Sequence, residues 1–71
     1  MAKGVMFKYM DKDGTQRKCV AYNEDQNNSL MSQGKLVVTK LDSSYKTITE
    51  NGEPVKIIKS MHYLTQIGFI D

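Results

Sequence analysis

The chain has 71 residues, of which 39% are hydrophobic and 25% are charged, and its formal net charge is +2. This length and composition predict a single globular domain over residues 1–71 and exclude an intrinsically disordered chain. Cys19 is the sole cysteine, which excludes a disulfide-bonded secreted scaffold, and no apolar stretch approaches the roughly 20 residues that span a bilayer. We therefore expect a soluble cytoplasmic protein without a signal peptide and without a membrane partner.

Basic residues are concentrated in the segments that the sequence pattern predicts as strands. Residues 1–22 contain five basic and two acidic side chains, and residues 35–59 contain five lysines and three acidic side chains. The connection between these segments is polar and mildly acidic. A net charge of this size does not by itself predict a polyanionic partner.

The first predicted element is a β-hairpin around Asp13-Gly14, flanked by VMFKYM (5–10) and TQRKCVAY (15–22). Asp-Gly is typical of a two-residue hairpin loop, because both loop positions require positive φ. In this register Tyr9 lies opposite Lys18, and the hairpin has one aromatic and one mixed face. The predicted core face carries Val5, Phe7, Tyr9, Val20 and Tyr22, and the mixed face carries Met6, Lys8, Met10, Arg17, Cys19 and Ala21.

A polar connection, Asn23 to Gly34, follows the hairpin. Its only apolar residues are Leu30 and Met31, so we expect a loop with one helical turn that ends at Gly34. A connection of this length without regular structure is uncommon in a compact domain. It is therefore expected to be either a mobile excursion or a place where another molecule docks.

The next segments predict a central strand over Lys35–Asp42 and a second hairpin over Tyr45–Ser60. In the strand, apolar residues point to both sides, which is typical of an interior position. Asn51-Gly52 is predicted to form the second hairpin loop, so that Ile48 lies opposite Val55 and Tyr45 lies opposite Ile58.

The C-terminal segment favours a short helix over a strand. Ser60 is a suitable N-cap, Met61, Leu64 and Ile67 recur at helical spacing, and Gly68 suits the position after a helix end. A final strand through residues 68–70 is the alternative. The predicted fold is thus mainly β (α+β by strict count): a small antiparallel barrel or twisted sheet of four or five strands with a C-terminal helix.

The stretch DKDG, residues 11–14, resembles the beginning of a calcium-binding loop. A loop that starts at Asp11 requires glycine at its sixth and glutamate at its twelfth position, where the chain has Gln16 and Tyr22. A frame with Gly14 in sixth place ends at Val20 instead. We therefore predict no calcium site.

Catalytic and cofactor chemistry has few candidate side chains in this sequence. Cys19 and His62 are the sole thiol and the sole imidazole, too few for a four-ligand zinc site, and no group that would orient a thiol–imidazole pair is evident. The glycines occur singly rather than in a phosphate-binding loop. We predict a non-enzymatic protein without a metal or cofactor.

Protein–protein association, including formation of a homo-oligomer, is the function that we favour from the sequence. Methionine side chains adapt to irregular partner surfaces, and a short chain gains stability when it buries apolar residues against a partner. The candidate interface residues are Met6, Met10, Leu30 and Met31.

Binding of single-stranded RNA or DNA is the alternative function. Small β-sheet domains bind single strands by stacking bases on aromatic side chains beside basic ones. Phe7, Tyr9 and Tyr22, with Lys18, are candidates for such stacking, and Lys8, Lys12 and Arg17 are candidates for phosphate contacts. The competing interpretation is that the aromatic residues form the core and the basic residues are solvated.

Overall fold

A five-stranded antiparallel sheet forms most of the computed structural model, which describes residues 4–70; residues 1–3 and 71 of the predicted domain lie outside that range. The strand order is β6-β3-β2-β1-β7, and β4 and β5 form a separate two-stranded ribbon. One α-helix, α1, connects β2 to β3. The elements are β1 Gly4–Met10, β2 Gln16–Tyr22, α1 Asp25–Met31, β3 Lys35–Leu41, β4 Thr49–Glu50, β5 Glu53–Pro54, β6 Lys56–Ser60, a 3-10 helix Met61–Tyr63 and β7 Thr65–Ile70.

The predicted mainly β class is confirmed, as is the interior position of the strand that begins at Lys35, since β3 lies between β2 and β6. The barrel is not closed: β6 and β7, the edge strands of the described sheet, do not pair with each other. The prediction of one helical turn before Gly34 corresponds to α1, whose last residue is Met31.

The sheet curls toward one of its faces. Two strands lie between β6 and β1, so a flat sheet would separate these two strands by about 14 Å. Yet the Nζ atom of Lys59 on β6 lies 4.6 Å from the ring centroid of Tyr9 on β1. The described chain also measures 28 × 27 × 25 Å, nearly equal in all directions, as a curled sheet requires. We call the face that carries both side chains the concave face and its opposite the convex face.

The register of the first hairpin differs from the prediction by one residue. Tyr9 lies opposite Arg17 rather than Lys18. The Gly14 amide donates to the Asp11 carbonyl at 3.0 Å, the Asp11 amide donates to the Thr15 carbonyl at 2.9 Å, and Gly14 has φ +82°. These bonds define a three-residue loop, a turn followed by a left-handed glycine, instead of the two-residue loop that Asp-Gly predicts.

This extra loop residue exchanges the faces of β2 relative to β1, because side chains alternate along a strand. Cys19 and Ala21 therefore join Phe7 and Tyr9 on the concave face, and the prediction that Val20 and Tyr22 lie there is wrong. The described core consists of Tyr9, Cys19, Ala21, Leu36 and Val38, with Phe7, Ile57 and Leu64 packed against it.

The second hairpin loop is confirmed at Asn51-Gly52. Both residues have positive φ, at 54° and 80°, and Glu50 pairs with Glu53 across them. The Val55 amide donates to the Ile48 carbonyl at 3.0 Å, as the predicted register requires. The predicted pairing of Tyr45 with Ile58 is wrong, because the chain leaves this ribbon after Val55 and Ile58 pairs with Val37 of β3.

The predicted C-terminal helix is wrong, and the alternative strand is present as β7. Ser60 does act as a cap, since its Oγ accepts from the His62 amide at 3.3 Å, but the helix is a single 3-10 turn. The chain then pairs with β1, which gives that strand a second neighbour. The register shift within β7 leaves Ile67 as an unpaired bulge residue between Gln66 and Gly68.

The amide side chain of Asn27 joins the helix to the two strands that it connects. Strands β2 and β3 pair over only three residues each, 18–20 with 39–41. Beyond them, Asn27 Nδ2 donates to the Tyr22 carbonyl at 2.7 Å and to the Val37 carbonyl at 3.3 Å, and its Oδ1 accepts from the Val37 amide at 2.7 Å. Asn27 is 3% exposed, so this side chain replaces the missing backbone pairing in a buried position.

Replacing Asn27 with alanine should lower the free energy of unfolding by about 2–4 kcal/mol, because it leaves the backbone groups of Val37 and Tyr22 without partners. The net stability of a chain this short is only about 3–5 kcal/mol, so the variant should be partly unfolded in water. Urea denaturation followed by circular dichroism measures the change. Asn28→Ala, on the exposed side of the same helix, is the matched control; equal midpoints for the two variants would contradict this role of Asn27.

Candidate functional site

The aromatic residues of the first hairpin do not form one exposed surface. Tyr9 is 4% exposed and belongs to the core, and Phe7 is partly buried against it. Burial raises the pKa of the Tyr9 phenol, and the Cys19 and Asp11 side chains raise it further. Tyr22 and Lys18 lie on the convex face. The structure therefore separates Tyr9 from Lys18, which the sequence prediction placed together.

The basic residues predicted to contact phosphate lie in three settings. Lys12 is exposed in the hairpin loop, and Lys8 lies on the convex face directly opposite Lys18. The Arg17 guanidinium is held by two carboxylates, with 3.3 Å from Nε to Asp11 and 3.3 Å from Nη2 to Asp13.

The two aspartates of the DKDG stretch serve the hairpin loop. Asp11 accepts from the Lys12 amide at 2.8 Å, and Asp13 accepts from the Thr15 amide at 2.9 Å. These backbone hydrogen bonds, with a further contribution from Arg17, lower the pKa of both carboxyls. The stretch that resembles a calcium loop thus fixes the turn and positions Arg17.

An apolar groove of about 250 Å³ opens on the concave face between α1 and the sheet. Its floor consists of strand residues, and its rim consists of methionines from α1 and from the 3-10 helix together with side-chain amides. No lining residue carries a formal charge at neutral pH. The lining residues are Val5, Phe7, Ala21, Tyr22, Asn23, Asn27, Asn28, Met31, Leu36, Met61 and Gln66.

The four candidate interface residues are distributed over different surfaces. Met31 is 52% exposed at the rim of the groove, where Met61 is its counterpart at 40%. Met10 is 59% exposed on the convex face, with the partly buried Met6 on the same face. Leu30 is also partly buried. Only Met31 therefore belongs to the groove, and Met61 is a groove residue that the sequence prediction missed.

Phe69 is a second residue that the sequence prediction missed. It lies directly opposite Val5, so both side chains are on the concave face, and it is 61% exposed. Strand β7 is an edge of the sheet, with no strand on its outer side in the described part of the chain. The sequence pattern predicted a helix for this segment. A helix has no cross-strand neighbours, so that prediction could not place Phe69 opposite Val5 on an edge strand.

Cys19 is buried in the core, whereas His62 is exposed to solvent. Cys19 is completely buried, and its Sγ lies 3.7 Å from the Phe7 carbonyl oxygen. Burial raises the pKa of its thiol to about 11, although Lys59 acts in the opposite direction. His62 is exposed on the 3-10 helix, with its ring edge-on to Tyr63 at 5.6 Å. At neutral pH Cys19 is a protonated, apolar part of the core.

Cys19 should react with 5,5′-dithiobis(2-nitrobenzoic acid) only when the chain unfolds, because the thiol is both buried and protonated. At neutral pH the native protein should react more slowly than the urea-unfolded protein by a factor of about a hundred to a few thousand. Absorbance of the released thiolate follows the reaction. Equal rates in the native and unfolded states would show that Cys19 is accessible.

No family model, curated protein or solved structure matches this chain. Within residues 4–70, no helix is long and apolar enough to cross a membrane. The same residues contain no group of three or more His, Cys, Asp or Glu side chains that could hold a metal ion.

Proposed function

We propose that this protein is a non-enzymatic assembly module that associates with a second copy of itself through the apolar groove and the adjacent edge strand β7. The observation that carries the proposal is the combination of an uncharged groove with an exposed phenylalanine, Phe69, beside it on the same face. The expectation of a cytoplasmic location rests on the single free cysteine of the sequence.

The groove and Phe69 complement each other in shape and polarity. Aromatic side chains act as anchors of protein interfaces when they fill an apolar pocket on the partner. A surface that carries both an anchor and a pocket can pair with its own copy about a two-fold axis, so that each Phe69 enters the groove of the other chain. Both contacts then form at once, and the assembly closes as a dimer.

The polarity of the groove supports a protein partner rather than a nucleic acid at this site. A phosphate chain requires cations, and none lines the groove. Methionines at the rim, Met31 and Met61, adapt to the shape of an apolar side chain. The exposed amides of Asn28 and Gln66 can pair with backbone groups of an incoming strand.

Sedimentation velocity over a range of protein concentrations tests this proposal. The wild-type chain should sediment as a concentration-dependent monomer–dimer mixture. Phe69→Glu and Met31→Glu should each weaken the dimer by at least about a hundredfold, because each buries an unpaired carboxylate in an apolar interface.

Met10→Glu is the matched control, since Met10 is as exposed as Phe69 but lies on the convex face. It should leave dimerisation unchanged. If Met10→Glu alone dissociates the dimer, the interface lies on the convex face shared by Met6 and Met10, and the proposed groove interface is wrong. A wild-type chain that remains monomeric at the highest concentration would contradict self-association altogether.

A further inference from the structure

Strands β2 and β3 also separate at the end of their paired segment that lies away from Asn27, and a second opening is found there. Beyond the pair Lys18–Leu41, the two strands separate, and a cleft of about 370 Å³ forms between the start of β2 and the end of β3. Three basic residues, Arg17, Lys18 and Lys40, line this cleft with a single acidic residue, Asp42. Because Asp11 and Asp13 hold the Arg17 guanidinium, the positive charge that this cleft offers to a ligand comes from Lys18 and Lys40. The lining is polar and mildly basic, in contrast to that of the groove.

Lys8 and Lys18 form an unfavourable pair at this end of the sheet. They lie directly opposite each other on β1 and β2, and both are only partly exposed. Like charges in directly opposite positions destabilise a sheet. An anionic ligand would reduce this repulsion, so a pair that destabilises the free protein would favour a complex with a polyanion.

Tyr45 provides an exposed aromatic ring next to the same lysine. The Lys18 Nζ atom lies 5.2 Å from the Tyr45 ring centroid, and Tyr45 is 44% exposed. Its φ of 64° is unusual for a bulky residue. Asp42 Oδ1 maintains this turn by accepting from the Ser44 amide at 2.8 Å and from the Lys46 amide at 2.9 Å.

Backbone conformations of this kind persist only where surrounding bonds impose them, and they are concentrated at binding sites. The turn fixes the backbone of Tyr45, and its exposed ring lies beside the Lys18 Nζ atom. A solvent-exposed ring beside a lysine is the arrangement on which the bases of a single strand stack. A membrane surface or an acidic peptide would use the cations but would have no need of the ring.

We propose that this cleft is a binding site for single-stranded nucleic acid. Phosphates of the strand contact Lys18 at the cleft and Lys8 beside it on the convex face, and a base stacks on Tyr45. The site shares Lys8 and Lys18 with the sequence-based hypothesis, but it replaces the buried Tyr9 with Tyr45 and lies away from the self-association groove. It therefore stands independently of the proposed dimer.

Fluorescence anisotropy of a fluorescein-labelled oligothymidylate, titrated with the full chain, measures this binding. The affinity should fall linearly on logarithmic axes as salt rises from about 50 to 200 mM, and Lys8→Gln and Lys18→Gln should each reduce that slope by about 0.7. Tyr45→Ala should weaken binding by about tenfold or more, and Tyr45→Phe should restore it.

Two variants at the opposite end of β3 are matched controls. Tyr63→Ala removes a more exposed tyrosine, and Lys35→Gln removes an exposed lysine; neither should change the affinity. Lys8→Gln should also be at least as resistant to urea as the wild-type protein, because it removes a repulsion. A loss of binding in that variant therefore cannot result from unfolding.

Three results would overturn the proposal. The first is the absence of any anisotropy change at low salt. The second is equal affinity for single-stranded and duplex DNA with no effect of Tyr45→Ala, which would show a phosphate contact without base stacking. The third is competition by polyglutamate as effective as that by unlabelled oligothymidylate at equal charge, which would show a site for any polyanion.

Discussion

The short pairing between β2 and β3 is the constraint on which the rest of the structure depends. These strands exchange backbone contacts only at residues 18–20 and 39–41, whereas both strands are longer than that. Buried backbone groups beyond a ladder need other partners. Asn27 supplies them on one side, and it can do so only if α1 lies against the sheet where the strands separate. The Asn27 side chain thus links α1 to both strands at the point where they separate.

Both candidate binding surfaces follow from this arrangement. On the side that Asn27 bridges, the strands separate beside α1, and the apolar groove opens there with Met31 among its lining residues. On the other side no helix fills the gap, and the mildly basic cleft opens beside Lys18. The core residues between them, Cys19 and Val38, are completely buried. The short ladder between β2 and β3 thus separates an apolar opening from a polar one.

The fold class could be predicted from the sequence, but the register and the helix contact could not. Asn51-Gly52 formed the expected loop because both residues accept positive φ. The loop at Asp13-Gly14 carries an almost identical signal, yet the carboxylates of Asp11 and Asp13 bind nearby amides and favour a longer turn. Nothing in the local sequence distinguishes Asn27 from its neighbours, because its role depends on a contact ten residues away.

Hydrogen exchange of the wild-type protein, measured by NMR, tests the central claim that Asn27 completes the sheet. The Val37 backbone amide and the side-chain amide protons of Asn27 should exchange slowly, at rates set by unfolding of the whole domain. The side-chain amide of Asn28, exposed on the same helix, is the internal reference for fast exchange. Exchange of the Asn27 protons as fast as those of Asn28 would contradict the account.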